Sequence, residues 1–347
     1  MERIKTGIAS YGLSGRVFHA PFIEANDAFE LTAVCERCKN EASKLYPKVH
    51  VFRSFEELIS IPELELIIVN TPDITHYDYC KVALNAGKNV IVEKPFVFNV
   101  SEGEELVELA EKKGLMLTVF QNRRWDSDFL TIQKVLKENK LGRIVEFRSG
   151  FQRFKNYIVE GSWKEEKNRH VGIVYNLGPH LVDQAVCLFG KPEGVFAQIR
   201  IQRDRSKVDD FFQISLIYRD INVLLTAGLL MKEPSASFVL HGVNGSFVKY
   251  GVDTQEEQLK SGMKPTDNGY GIDRSENYGI LNVEMSGQTQ RQSIPSEPGN
   301  YMLFFDNVAF AIRNKVAPAV SPRENLSIIR ILEAAFQSHD ENKVIFI

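Results

Sequence analysis

Little in this sequence is in excess, and each shortage closes off a class of protein. Cysteine occurs only four times, at positions 35, 38, 80 and 187. That is too few for a disulfide framework in a chain this long, so a reduced, cytoplasmic compartment is expected. The longest near-apolar run, around 222–231, is far short of the roughly 20 residues a spanning helix needs. The opening MERIKTGIASYG has no apolar stretch followed by a cleavage site, so no secretory signal is read there. Neither sign of charge dominates: 42 Lys and Arg against 45 Asp and Glu leave −3, which argues against a broad nucleic-acid footprint. Repeats and low-complexity tracts are missing. What is present is ordinary globular usage, 44% hydrophobic and 25% charged over 347 residues. That suffices for a sizeable core and for about two domains.

Two textures divide the chain. Up to Asn122, apolar runs of strand length (4–10, 29–35, 64–70, 89–93, 115–120) alternate with helical stretches at 55–59, 75–86 and 101–113. Near-continuous apolar strands separated by helices predict a doubly wound parallel α/β sheet, covered on both faces. Ser101 with Glu104 three residues on reads as a capping box. From 123 to 347 strand candidates follow one another directly, at 144–153, 194–203, 209–218, 222–230, 237–242 and 246–251. Several alternate apolar and polar, which predicts an α+β domain on an open, mostly antiparallel sheet. Asn244-Gly245 signals a hairpin turn. The segment 251–299 reads as loops with one helix at most, followed by helices over about 301–313 and from Ser321-Pro322 onward.

Four constellations carry chemistry. Ser10-Tyr11-Gly12-Leu13-Ser14-Gly15 follows the first strand and opens a helix, as a dinucleotide-binding turn does. Gly12 would admit a pyrophosphate and Gly15 would allow close packing, although Ser10 replaces the first glycine. Glu36, at the end of the second strand, is placed to accept from ribose hydroxyls and so favours NAD. Its neighbour Arg37 would welcome a 2′-phosphate, so NAD and NADP both stay open. Cys35 and Cys38 form a CxxC without the second pair a structural zinc requires, and no metal is expected. Glu93-Lys94-Pro95 stands at a strand's carboxyl end, where an ammonium can steady an alkoxide; a lysine paired with Glu93 is the plainer alternative. Asn176, His180 and Asp183 fall on one helical stripe, with His180 a candidate general base or simply a capping or core histidine. If that helix begins at Gly178-Pro179, Asn176 lies just outside it.

These residues resemble the Gfo/Idh/MocA oxidoreductases, which include glucose–fructose oxidoreductase and inositol dehydrogenases. The likeness rests on Asn70-Thr71-Pro72 to His76, Ala86-Gly87-Lys88, Glu93-Lys94-Pro95, Gly178-Pro179-His180 with Asp183-Gln184, and Leu188-Phe189-Gly190. The run Gly12 to Pro21 and Asn122-Arg123-Arg124-Trp125-Asp126 is most similar to the scyllo-inositol dehydrogenase-like branch. The resemblance implies a Rossmann domain, Lys94 and His180 as the catalytic pair, and Thr71, Pro72, His76, Glu93 and Asn122 around the nicotinamide half of NAD or NADP. Three departures stand out. Ser10 replaces a glycine, Asn176 stands where many relatives have Asp, and Gln152 stands where relatives often have Asp.

The expected activity is hydride transfer between a nicotinamide and a hydroxyl-bearing carbon of a cyclitol or sugar. Asn176, Trp163 and Arg124 are the candidate substrate contacts. The alternative is a non-catalytic dinucleotide-sensing regulator of the same fold. The outward apolar row Phe196, Ile199 and Ile201 suggests a homo-oligomer, unless those residues pack beneath the domain's own helices. No nucleic-acid or membrane partner is expected.

Overall fold

A computed structural model describes residues 2–167, 170–233, 235–285 and 287–347; the side chains of Trp163 and Met285 lie outside the description. The chain forms two compact units: Met1–Trp125 with Gln255–Gly271 and Asn300–Leu326, and Asp126–Thr254 with Ile272–Gly299 and Ser327–Ile347. The later part of the chain thus returns twice to the first unit.

The first unit is built on six parallel strands, β1 (Ile4–Ile8), β2 (Phe29–Cys35), β3 (His50–Phe52), β4 (Leu66–Val69), β5 (Asn89–Val92) and β6 (Leu117–Val119), in spatial order β3-β2-β1-β4-β5-β6. The order reverses between β1 and β4, and ligands of open α/β sheets bind at the carboxyl ends of strands at such a reversal. Every side chain of β4 is buried, as a strand covered on both faces requires. Each fully buried Leu or Ile there contributes on the order of 1.5–3 kcal/mol. The connecting helices are α1 (Ala20–Ala25), α2 (Glu41–Leu45), α3 (Phe55–Ile59), α4 (His76–Asn85) and α5 (Val100–Lys113). The capping box falls on α3, where Ser54 and Glu57 satisfy each other's backbone N–H groups. It does not fall at Ser101: α5 is capped two residues earlier by Asn99, whose Oδ1 accepts from Glu102 N at 2.9 Å. Asn and Ser are equally good caps, and here the residue in extended conformation takes the role.

The second unit opens with α6 (Ser127–Lys137) and β7 (Ile144–Gln152), followed by α7 (Ile173–Phe189) and the strands β8 (Gly194–Arg200), β9 (Phe211–Ile217), β10 (Asn222–Gly228), β11 (Phe238–Gly242) and β12 (Gly245–Lys249). Next comes α8 (Gln255–Lys260), within the first unit. The hairpin β13 (Gly279–Met285) and β14 (Gln288–Ile294) returns to the second, α9 (Met302–Asn314) lies in the first, and α10 (Pro322–Glu341) precedes β15 (Ile345–Phe346). Nine strands form one sheet in the order β14-β13-β12-β11-β7-β10-β9-β8-β15, antiparallel throughout except for β7 and β10.

Burial alternates along β9: Phe212, Ile214 and Leu216 enter the core with residues of α7 and α10, while Phe211, Gln213, Ser215 and Ile217 face outward half-exposed. The row anticipated on and just past β8 also divides, Ile201 lying beyond the strand's end. Ile199 packs into the core, Phe196 is half-exposed and Ile201 is exposed. The hairpin β13–β14 overturns the reading of 251–299 as loops with at most one helix. Its second strand, QTQRQSI, is almost wholly exposed and carries no apolar period.

Candidate functional site

The dinucleotide turn is shaped by close approach. The peptide at Ser10 is clamped by Asn70: Ser10 N donates to Asn70 Oδ1 at 2.9 Å and Asn70 Nδ2 donates to the Ser10 carbonyl at 2.7 Å. A Cβ placed on Gly15 would lie 2.2 Å from that same carbonyl oxygen, so glycine is obligatory. Gly12 by contrast has open space before it, with only Ser10 Oγ at 3.6 Å. The helix at 13–25 then makes a π turn over Gly15–His19, closed by Ala20 N–H on the Gly15 carbonyl. Pro21 follows immediately and has no N–H to continue an α ladder, and such turns gather at functional positions.

A cavity of 690 Å³ opens at the carboxyl ends of β1 to β4, lined by this turn, by Glu36 to Lys39, and by Thr71 and Pro72. Ser10, Gly12, Arg37, Thr71 and Pro72 therefore line one cleft. Glu36 lines it too, and its carboxylate has a second task. Its oxygens accept from Glu41 N and Ala42 N, each at 3.1 Å, capping the first turn of α2. Each oxygen keeps a further lone pair on the cleft it lines. Arg53 braces the same loop by donating to the carbonyls of Glu36 and Lys39 and to Asn40 Oδ1. Arg37 and Lys39 stay exposed at the rim. Burial pushes the Cys35 thiol up, against thiolate chemistry.

At the end of β5, Glu93 is held from across the sheet. Ser14 Oγ and His19 Nε2 both bond its Oε1, the latter at 2.9 Å, and Lys94 N donates to Oε2 at 3.3 Å. Burial raises the Glu93 pKa, but the bonds from His19 and Ser14 and the neighbouring Lys94 charge outweigh it and leave the carboxyl below its ordinary value. His19 itself is fully buried beside Phe120, with ring centroids 4.5 Å apart.

His76 is buried, and both its nitrogens face carbonyls, Pro95 O at 2.8 Å and Thr71 O at 3.1 Å. Burial lowers its pKa below that of an exposed imidazole despite these bonds. Its ring staples the ends of β4 and β5 together instead of lining the cleft. Arg124, read as a substrate contact, is buried and donates to Ala319 O and Glu324 Oε2, each at 3.1 Å. Those partners give its guanidinium a bracing role within the first unit. Asn122 is buried at the start of the short 3-10 turn Asn122–Trp125.

In the second unit α7 runs unbroken through Gly178-Pro179, so Asn176 belongs to its first turns and not to a preceding loop. Gly178 brings α10 close: a Cβ there would stand 3.0 Å from Leu332 Cδ2. His180 and Asp183 are buried on the stripe and Asn176 is exposed. The first turn of α7 is fastened by Asp209, whose Oδ2 accepts from Val174 N at 2.8 Å and whose carbonyl accepts from Ile173 N at 2.9 Å. Burial raises the Asp209 carboxyl to about 6. Lys94 belongs to the first unit and His180 to the second. The side chain of Trp163 lies outside the described residues. Sequence reading passed over Asn70 and His19 as functional residues. Asn70 had one available signal, its position at the end of β4 beside the topological reversal.

The residues fit a nicotinamide dinucleotide. The turn leaves open space in front of Gly12 that a Cβ would enter, and the helix start supplies N–H donors to a pyrophosphate. Residues 4–121 match the oxidoreductase family's NAD-binding Rossmann fold, and residues 133–347 match its C-terminal alpha/beta domain. The chain is 36% identical to the scyllo-inositol 2-dehydrogenase (NADP(+)) IolW of Bacillus subtilis, covering 100% of this chain and 97% of that protein. It is 40% identical to the uncharacterized oxidoreductase C115.03 of Schizosaccharomyces pombe, over 99% and 100% of the two chains. Among solved structures, one described as an oxidoreductase of Bacteroides fragilis superposes with a TM-score of 0.92 at 46% identity, covering both chains fully. Another, YvaA of Bacillus subtilis, superposes at 0.97 with 36% identity over 100% and 99%. Two family domains in sequence, on a glycine turn and sheet reversal built for a dinucleotide, make this chain a member of the Gfo/Idh/MocA oxidoreductase family.

Proposed function

We propose that the chain is an NADP-preferring dehydrogenase that interconverts a CH–OH and a keto carbon on a cyclitol or sugar ring. The substrate class rests on full-length similarity to a scyllo-inositol 2-dehydrogenase. The observation that carries the cofactor preference is the pair of cations Arg37 and Lys39, exposed at the cleft rim. The Glu36 carboxylate keeps its charge while it caps α2, but two cations stand beside it, and guanidinium is suited to phosphate.

The turn Ser10 to Gly15 would hold the pyrophosphate, Arg37 and Lys39 the 2′-phosphate, and Thr71, Pro72 and Asn122 the nicotinamide half. When bound, the nicotinamide supplies the hydride acceptor in the oxidative direction. His180 takes the proton from the substrate hydroxyl, and the Lys94 ammonium stabilises the negative charge developing on that oxygen. Asn176, in place of a carboxylate, orients a substrate hydroxyl without adding charge.

Titration with NADPH and NADH, followed by a polyol panel with Lys94→Ala and His180→Ala, tests this reading. Stronger NADPH binding, with polyol turnover lost in both variants, supports it. Tight dinucleotide binding with no turnover on any polyol would instead favour a regulatory role. Association with a second copy through the outward sheet face bearing Phe196, Phe211 and Ile217 belongs to the same proposal, and a monomer by light scattering would overturn that part.

A further inference from the structure

The fully buried ring of His19 is assigned no role by the activity proposed above, yet it bonds the carboxylate that adjoins Lys94. We infer that His19 is a positioning residue for Lys94, acting through Glu93. The inference rests on the reading that Lys94 works on the substrate oxygen.

The argument begins with the acceptor. Glu93 is ionised, so its oxygens only accept. Oε1 takes Ser14 Oγ–H and His19 Nε2–H, and Oε2 takes the amide of Lys94. His19 Nε2 is therefore a donor, and Nδ1 is left buried without a partner among the packed rings of Phe120 and Phe305. An imidazole that served only to fill space would be replaced without loss by an apolar ring or chain. An imidazole with one nitrogen unused and the other aimed at a carboxylate is present for the bond it makes. The π turn over Gly15–His19 carries this ring, and the same helix start carries Ser14. One segment thus shapes the dinucleotide turn and also fixes Glu93. With the carboxylate fixed, its Oε2 orients the peptide N–H of Lys94, the residue from which the ammonium projects. Releasing Glu93 lets that peptide and its side chain wander, and alignment losses of this kind fall on turnover more than on binding.

The geometry separates two conservative replacements. Glutamine places its amide nitrogen near the position of Nε2; asparagine reaches only the level of Nδ1. The experiment compares His19→Leu, His19→Gln and His19→Asn with the intact protein, by amide hydrogen exchange at Lys94, NADPH binding and polyol turnover. Expected are about tenfold faster exchange at Lys94 and about tenfold or greater loss of kcat in the Leu and Asn variants. The dissociation constant for NADPH should stay within about threefold throughout, and Gln should restore both exchange and turnover to near wild type. Equal behaviour of Gln and Asn, or wild-type exchange at Lys94 in either the Leu or the Asn variant, overturns the inference. If Leu does not fold, the Gln and Asn pair still decides. Wild-type protein that turns over no polyol, with the exchange pattern intact, refutes the proposed activity and leaves the positioning role standing.

Discussion

Asn70 and Ser10 exchange two hydrogen bonds, at 2.9 and 2.7 Å, so that the end of β4 holds the start of the dinucleotide turn in one conformation. Asn70→Ala leaves the half-buried carbonyl and N–H of Ser10 without this partner, which costs about 1 kcal/mol. The expected result is a lower urea midpoint with unchanged m-value, and NADPH binding weakened at least tenfold by calorimetry. Binding at wild-type strength would show that the turn is held by other means.

Gly15→Ala puts a methyl carbon 2.2 Å from the Ser10 carbonyl oxygen, a backbone atom that cannot swing aside. Overpacking against backbone costs on the order of 1–3 kcal/mol. A thermal midpoint several degrees lower is expected, with dinucleotide affinity reduced in step. Gly12→Ala meets open space and should leave the thermal midpoint within a degree or two of wild type while still weakening binding.

Arg37→Ala distinguishes the two dinucleotides. Loss of the exposed guanidinium at the rim should raise the NADPH dissociation constant about tenfold or more, and the NADH constant less than threefold. Equal effects on both would place the 2′-phosphate elsewhere.

Asp209 has its carboxyl raised by burial to about 6 in the folded chain, from an ordinary value of 3.8. A raised carboxyl binds its proton more readily folded than unfolded. Its contribution to stability is therefore fully present below pH about 4 and is lost as pH climbs through about 6. Asp209→Asn keeps an oxygen for Val174 N without the charge. Its stability relative to wild type should therefore increase across that window, by up to about 2–3 kcal/mol at neutral pH. Denaturation series at pH 4 and pH 7 measure it. A wild-type-to-variant difference that does not change with pH would show that the carboxyl titrates normally.

Lys249 and Asp273 are each about 1% exposed and 2.7 Å apart, with Asn277 O and Ser296 Oγ completing the ammonium's bonds. Lys249→Met strands a buried carboxylate and should cost about 3–5 kcal/mol. Adding Asp273→Asn should recover a good part of that loss, because the stranded charge is then gone. Additive losses in the double variant would contradict the coupling.

The architecture was readable where side chains had to repeat with a period. β4 and β5 are apolar runs because both sheet faces are covered, and β9 alternates because one face is. β14 was unreadable because nothing in it is buried: its pairing with β13 is made by backbone groups, which every sequence possesses. At the site, residue types were legible and their directions were not. Glu36 stood where a ribose-binding carboxylate belongs, and that its oxygens also take two backbone N–H groups five and six residues downstream was not legible. His76 and Arg124 were likewise recognisable as polar residues at functional positions. That their polar atoms meet main-chain carbonyls depends on which loops lie opposite, and no local pattern encodes that. His19 looked like one polar residue in a helical run, because its partner is 74 residues away.

The same plain strand has a consequence for how the protein lives at high concentration. β14 ends the large sheet with a rim of unpaired peptide groups, and glutamine, threonine, arginine and serine along it keep that rim wet. A foreign extended segment docking there would have to strip water from polar groups on both faces while gaining almost no greasy contact. The sheet thus stops growing at nine strands by making its own border unrewarding to join.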